Sequence, residues 1–286
     1  MLALRQTLRS IRTALAAAGA LAVALPAAAQ AQGKLEAHYK VTLAGIPIGK
    51  GDWTVDIGDT QYSASVNGAT TGLMRVLTEG EGTTVASGTI SAGRVQSSTY
   101  LATIKSRKNK DEVRVTLDKG SVKDSSADPP QDHDRERVPV TEADLQNVLD
   151  PMTASLLATP GNGNPISAEA CQRTLPIFDG RLRYDLQLAF KRMETVKAEK
   201  GYSGPAVVCS VYFKPIAGYV ASRATIRYIS KLRDMEIWLA PVAGTRVLVP
   251  FRVQGPTQIG EAVMEATQFV TAATPAHASA NGHKGP

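Results

Sequence analysis

The sequence has 286 residues, 43% of them hydrophobic, with 32 Lys and Arg against 26 Asp and Glu, two cysteines and four histidines. That is enough apolar material for a sizeable core, and too evenly mixed a charge for the dense basic face of a nucleic-acid binder. Two cysteines are too few for a disulfide-knit miniprotein, and after the first 31 residues no apolar run approaches the roughly 20 residues of a membrane-spanning helix.

Residues 1–31 read as a cleaved signal peptide. Arg5, Arg9 and Arg12 precede an Ala/Leu/Val-rich stretch, and no acid appears before Glu36. Ala29-Gln30-Ala31 fits an A-x-A cleavage site, which makes Gln32 the first mature residue. Removing three leader arginines takes the formal charge from +6 to +3. No cysteine lies near the cleavage region to accept a lipid. The expected product is a soluble periplasmic protein that does not span a membrane.

From Lys34 onward apolar residues alternate with polar ones. Leu35, Ala37, Tyr39, Val41 and Leu43 share one face; Trp53, Val55 and Ile57 share the next; Tyr62, Ala64 and Val66 follow. Gly, Asp and Asn recur between these runs, the signature of half-buried antiparallel strands. Residues 124–139, with three prolines, read as a surface loop.

A helical insert is expected over about 141–158. It starts at Thr141 with Asp144 three residues on, and is broken into two short helices by Pro151. Strands resume at Cys171, with Pro250 marking an edge or a bulge. Residues 271–286 lack large apolar side chains and read as a disordered tail, leaving one β-rich domain over 32–270.

In an exported chain, Cys171 and Cys209 are expected to form a disulfide between neighbouring strands. Asp179-Gly180 is the strongest hairpin signal, with both turn positions expected at φ > 0. Tyr184, Leu186, Leu188 and Phe190 then face a core, and Arg183 and Asp185 face water. Arg181 and Arg183 have no structural necessity and are the candidate contacts for an anionic ligand. The basic run 105–114 reads as a hairpin tip, with anionic lipid phosphates as the sharper alternative. Leu73, Met74, Val76 and Leu77 read as core, or as an apolar lip over a cavity. His38, His133, His277 and His283 have no metal-ligand spacing, and no nucleophile-elbow or phosphate-loop pattern is present. No catalytic, cofactor or metal residue is assigned.

The order of "YKVTLAGIPIGKGDWTV", "VLDPMTASLLA", "CQRTLPIFDGRLRYDL", "CSVYFKPIAGY" and "VLVPFRVQGPTQIGEAVME" resembles the exported bacterial domain-of-unknown-function family 3108, over about residues 36–270. The resemblance implies a periplasmic domain built on a strongly curved antiparallel sheet, and supplies no activity or catalytic residues.

The expected fold is mainly β: a strongly curved antiparallel sheet or open barrel, with the short helical insert on its concave face. A curved sheet around a helix leaves an apolar groove. The expected function is non-enzymatic: an envelope protein holding a lipid or other amphiphile, or an apolar segment, in that groove. A structural or assembly factor that contacts another envelope protein is the alternative, and an envelope hydrolase a third. No nucleic-acid partner and no cofactor are expected.

Overall fold

Alternation at period two becomes strand after strand in the computed structural model, which describes residues 32–72, 79–91 and 93–273. A first run of antiparallel neighbours comprises β1 (Gly33–Leu43), β2 (Ile46–Ile57), β3 (Gln61–Thr70), β4 (Gly80–Ser91), β5 (Arg94–Ser106), β6 (Lys110–Asp118) and β7 (Ser121–Asp128). The second comprises β8 (Leu157–Ala158), β9 (Arg173–Phe178), β10 (Arg183–Lys197), β11 (Lys200–Gly201), β12 (Ser203–Ala217), β13 (Met235–Pro241), β14 (Val247–Thr257) and β15 (Gly260–Ala273). The sheet runs β7-β6-β5-β4-β3-β2-β1-β15-β14-β13-β12-β10-β9, with β8 added to β14 and β11 added in parallel to β15.

Leu35, Ala37 and Tyr39 of β1 are buried while Lys34, Glu36 and His38 face water, so the sheet has one dry face along this strand. Trp53, Val55 and Ile57, then Tyr62 and Ala64, and Val113, Val115 and Leu117 join the same core. A second, smaller core lies around Leu188, Val207, Val211, Leu239 and Leu248, covered by Leu157, Ala170 and Cys171.

The sheet does not close on itself; β7 and β9 are its edges. Residues 148–149 occupy the seam. Val148 N–H donates to the Gly120 carbonyl at 2.8 Å, Leu149 N–H to Pro176 at 2.9 Å, and Phe178 N–H to Leu149 at 2.9 Å. The β9 edge is thereby paired over part of its length rather than left open to another chain. No described helix is long and apolar enough to cross a membrane.

The helical insert is smaller than the spacing of its leucines suggests. A 3-10 turn spans Glu142–Leu145, an α-turn spans Pro151–Ala154, and Leu157–Ala158 is strand. The start signals are where the side chains place them: Thr141 N–H donates to the Asp144 carboxylate at 2.9 Å, and Asp150 caps Thr153 ahead of Pro151. The first turn stops at Leu145, ahead of Gln146 in extended backbone and Asn147 at φ 55°, and the second at Ala154, where Ser155 N–H donates to the Met152 carbonyl; Pro151 opens the second and ends neither. Met152, within the short α-turn, is part of the main core.

Three other expectations shift. Residues 124–128 belong to β7 and not to a loop. Thr271–Ala273 are strand, paired with Gly33–Leu35, so only the remainder of the expected tail lies beyond β15. A short helix at Ala224–Ile229 has no counterpart in the alternation. Pro250 does sit beside a bulge, opposite Trp238 and Leu239. The signal peptide, Leu73, Met74, Val76, Leu77, His277 and His283 lie outside the described residues.

Candidate ligand-binding site

Cys171 closes the 3-10 turn Ala168–Cys171, and Cys209 lies within β12. The two are disulfide-bonded, with their Cα atoms 5.4 Å apart and a sequence separation of 38. Both are fully buried in the second core. The bond therefore staples a crossing turn onto an interior strand, and does not join two neighbouring strands.

The Asp179-Gly180 turn is a four-residue loop, 179–182, between β9 and β10. Gly180 has φ 93°, whereas Asp179 is not in the left-handed region. The Asp179 carboxylate instead accepts from the backbone of Arg181 at 2.9 Å and Leu182 at 2.7 Å. A side chain on Gly180 would lie 2.1 Å from Val113 Cγ1, so the loop presses against β6 where only hydrogen fits.

That placement decides the surroundings of Arg181. Its Nη1 donates to both oxygens of Asp111 on β6, at 2.9 and 2.7 Å, and Nη2 donates to the Pro129 carbonyl at 2.8 Å. Arg183 donates to Asp185 at 2.6 Å and to the Tyr184 carbonyl at 2.7 Å. Neither of this second pair faces open water: their side chains are 12% and 19% exposed. At the end of the expected core face, Phe190 is 42% exposed.

Arg181 borders a cleft of about 430 Å³ with Asp132, Arg137 and Arg223. Asp132 pairs with both other arginines and Asp111 with Arg181, so each cation on the lining has a carboxylate partner within the protein. Arg181 acts across the open seam as a clasp. Arg181→Gln is expected to cost about 1.5–3 kcal/mol, as for a hydrogen bond to a charged group. Urea unfolding should show little further loss when Asp111→Asn is added to it; full additivity would mean that the two side chains are not coupled.

A different cavity, of about 360 Å³, lies beside the 151–154 turn. Its walls include Tyr39, Trp53, Val66, Tyr100, Met152 and Met264. Size and lining match small-molecule sites, which span roughly 300–1,000 Å³ and are mostly apolar. Part of the floor is backbone: Gly51 of β2 pairs with Gly68 of β3, and both line the cavity. A Cβ on Gly68 would meet only the Lys50 carbonyl, at 3.5 Å. Glycine inside a strand removes the side chain that would fill this volume. Burial pushes the hydroxyl pKa values of Tyr39 and Tyr100 above the ordinary tyrosine range, and nearby Asp150 adds to the rise at Tyr100.

None of these lining residues stood out in the sequence as a site. The available signal was the pair of glycines interrupting β2 and β3. His38 is paired with Asp52 on the sheet, and the described residues hold no group of three or more His, Cys, Asp or Glu arranged for a metal.

The family model described as "Protein of unknown function (DUF3108)" matches residues 38–267. The chain belongs to the DUF3108 family. The DUF3108 span contains every wall of the cavity, the Arg181 clasp and both cysteines. Among solved structures, the chain is similar to a β-barrel-like protein of domain of unknown function DUF1849 from Brucella abortus. That similarity covers 85% of this chain and 98% of the other, with 8% identity and a TM-score of 0.46. No curated protein matches the chain.

Proposed function

We propose that this DUF3108 protein is a non-enzymatic component of the cell envelope, located in the periplasm, that holds a lipid-like amphiphile or apolar segment in the cavity beside Met152. The observation that carries this reading is the cavity itself: about 360 Å³ walled by aromatic and aliphatic side chains and floored by paired glycines. The leader-like first 31 residues and the disulfide support the location.

Gly68→Leu tests the reading because it fills the cavity from a strand position with ordinary backbone angles. Lipid co-purifying with the wild-type protein from envelopes is expected to fall at least about fivefold in the variant, while thermal stability changes little. Equal lipid recovery from both, or from neither, would sink the reading.

Exposed Phe190 and Met193, at 42% and 45%, favour a second reading, an assembly factor that docks on another envelope protein. Such a role would be indifferent to Gly68→Leu.

A further inference from the structure

The three most exposed large apolar side chains among the described residues are all isoleucines: Ile259 at 72%, Ile104 at 59% and Ile46 at 56%. They gather at one end of the sheet. Leu43 pairs with Ile46 across a two-residue turn, Ala44-Gly45, and Thr257 pairs with Gly260 across Gln258-Ile259. Two-residue turns favour Gly, Asn and Asp at their apex, so the turn itself does not call for Ile259. The two turns touch: Ala44 N–H donates to the Glu261 carbonyl at 2.9 Å, and a Cβ on Gly260 would lie 2.7 Å from that of Ala44. Exposed apolar residues scattered singly are ordinary, whereas a group on neighbouring hairpin ends marks a contact surface.

The basic β5–β6 turn projects from the same end. A lateral row crosses the sheet from Gly49 to Thr70, whose Oγ1 accepts from Gly80 N–H at 3.1 Å, and from Gly80 to Ser106. Ile46 lies three residues beyond this row on β2, and Ile104 two residues behind it on β5. Arg107 and Lys108, the central residues of turn 106–109, lie one and two residues beyond it, and both are exposed. Arg107 pairs with Glu79, also beyond the row, while Glu81 and Glu112 lie behind it. Glu261 stands just behind the Ile259 turn, opposite Pro256. Isoleucine and cation thus lead at this end, with most of the acids set back.

That order matches the surface of an anionic bilayer. Apolar side chains enter the boundary between headgroups and acyl chains, and Lys and Arg meet the phosphates. The cavity lies behind the same turns: Val41 and Met264, paired across β1 and β15, both line it, and Val41 is three residues from Ala44, about 10 Å of strand. We propose that this end of the sheet docks on an anionic phospholipid bilayer, with Ile46 and Ile259 entering the headgroup region and Arg107 and Lys108 facing lipid phosphates. The contact brings the cavity to the surface that supplies its amphiphile; it rests on the amphiphile-holding reading for what it serves, and adds the partner.

Flotation with vesicles of phosphatidylglycerol and phosphatidylethanolamine, compared with vesicles of phosphatidylcholine, tests the proposal. Protein purified from envelopes is expected to favour the anionic vesicles about tenfold, and to lose most of that preference at about 0.5 M salt. Ile46→Ser combined with Ile259→Ser should weaken binding about tenfold, and Lys108→Gln about fivefold. Phe190→Ser with Met193→Ser, which removes exposed apolar groups elsewhere, should leave it unchanged. A second readout does not depend on lost binding: a fluorophore on Ile259→Cys should shift to the blue on anionic vesicles, and one on Val85→Cys should not. Equal binding to both vesicles, binding to neither, or binding indifferent to the isoleucine pair overturns the inference and leaves the amphiphile reading standing. That reading is judged separately, by the lipid co-purifying with wild type. If none is recovered while the vesicle results hold, it falls and the docking surface remains.

Discussion

Replacing Cys171 and Cys209 together by alanine is expected to lower the unfolding free energy by about 4 kcal/mol, the chain-entropy value for closing a 38-residue separation. The loss falls on a particular part of the molecule. Segment 157–172 covers the second core through Leu157, Ala170 and Cys171; without the bond it is retained by that apolar contact, by the pairing of Leu157–Ala158 with β14 and by hydrogen bonds from Arg246 to the Thr159, Pro160 and Gly163 carbonyls, all towards its first half. Urea unfolding should show a lower midpoint, and the melting temperature should drop by about 10 °C. Wild type under reductant should match the double variant. Hydrogen exchange should report earlier opening of 157–172 than of β1 or β2; uniform acceleration would refute this local account.

Asp150→Ala is expected to cost about 3 kcal/mol, through loss of a helix cap and exposure of a buried polar network. Asp150 is fully buried. Its carboxylate accepts from Thr153 N–H at 2.9 Å and from the Thr153 hydroxyl, which in turn meets the Tyr62 hydroxyl. Its own N–H donates to Ser97 at 2.9 Å, joining the 151–154 turn to β5. Asp150→Asn keeps an acceptor for Thr153 and should cost about 1 kcal/mol.

The pH dependence has a definite sign. Burial pushes the Asp150 carboxyl above the ordinary carboxylate range, so the folded state holds this proton more tightly than the unfolded chain does. The contribution of Asp150 to stability therefore falls as pH rises from about 3.9 through the raised folded value. Asp144 and Glu194 run the opposite way: hydrogen bonds from Thr141 and from Trp238 hold them low, and they weaken the fold as pH falls. The useful quantity is thus wild type minus Asp150→Asn, measured by urea midpoints from pH 4 to 8. This difference should shift against wild type with rising pH, and a flat difference would remove Asp150 as its source.

What could be read locally was legible. Leu35, Ala37 and Tyr39 declare a half-buried strand by their spacing, and Asp150-Pro151 declares a helix start by the geometry of a cap. Pro250 marks a bulge because it cannot donate to a ladder. The misreadings arose where distant strands meet. Arg181 looked unemployed because Asp111 is 70 residues away in sequence. Arg183 and Asp185 alternate as if exposed, yet Asp144 on the insert is close enough to feel the Arg183 charge. The cavity was the least visible feature. Trp53 and Tyr100 come together only through the lateral order β2-β3-β4-β5 and the turn that packs beside them.

The pairing of β1 with β15 bears on how the molecule comes into being. Gly33 faces Ala273 and Leu43 faces Ala262, so the last strand among the described residues occupies the middle of the sheet, between β1 and β14. During synthesis every earlier strand can be present while the two halves still have no common centre. Such a chain is slow to lock and cannot do so before β15 is available to pair. Deleting β15 would therefore take away the junction between the two halves rather than trim an edge.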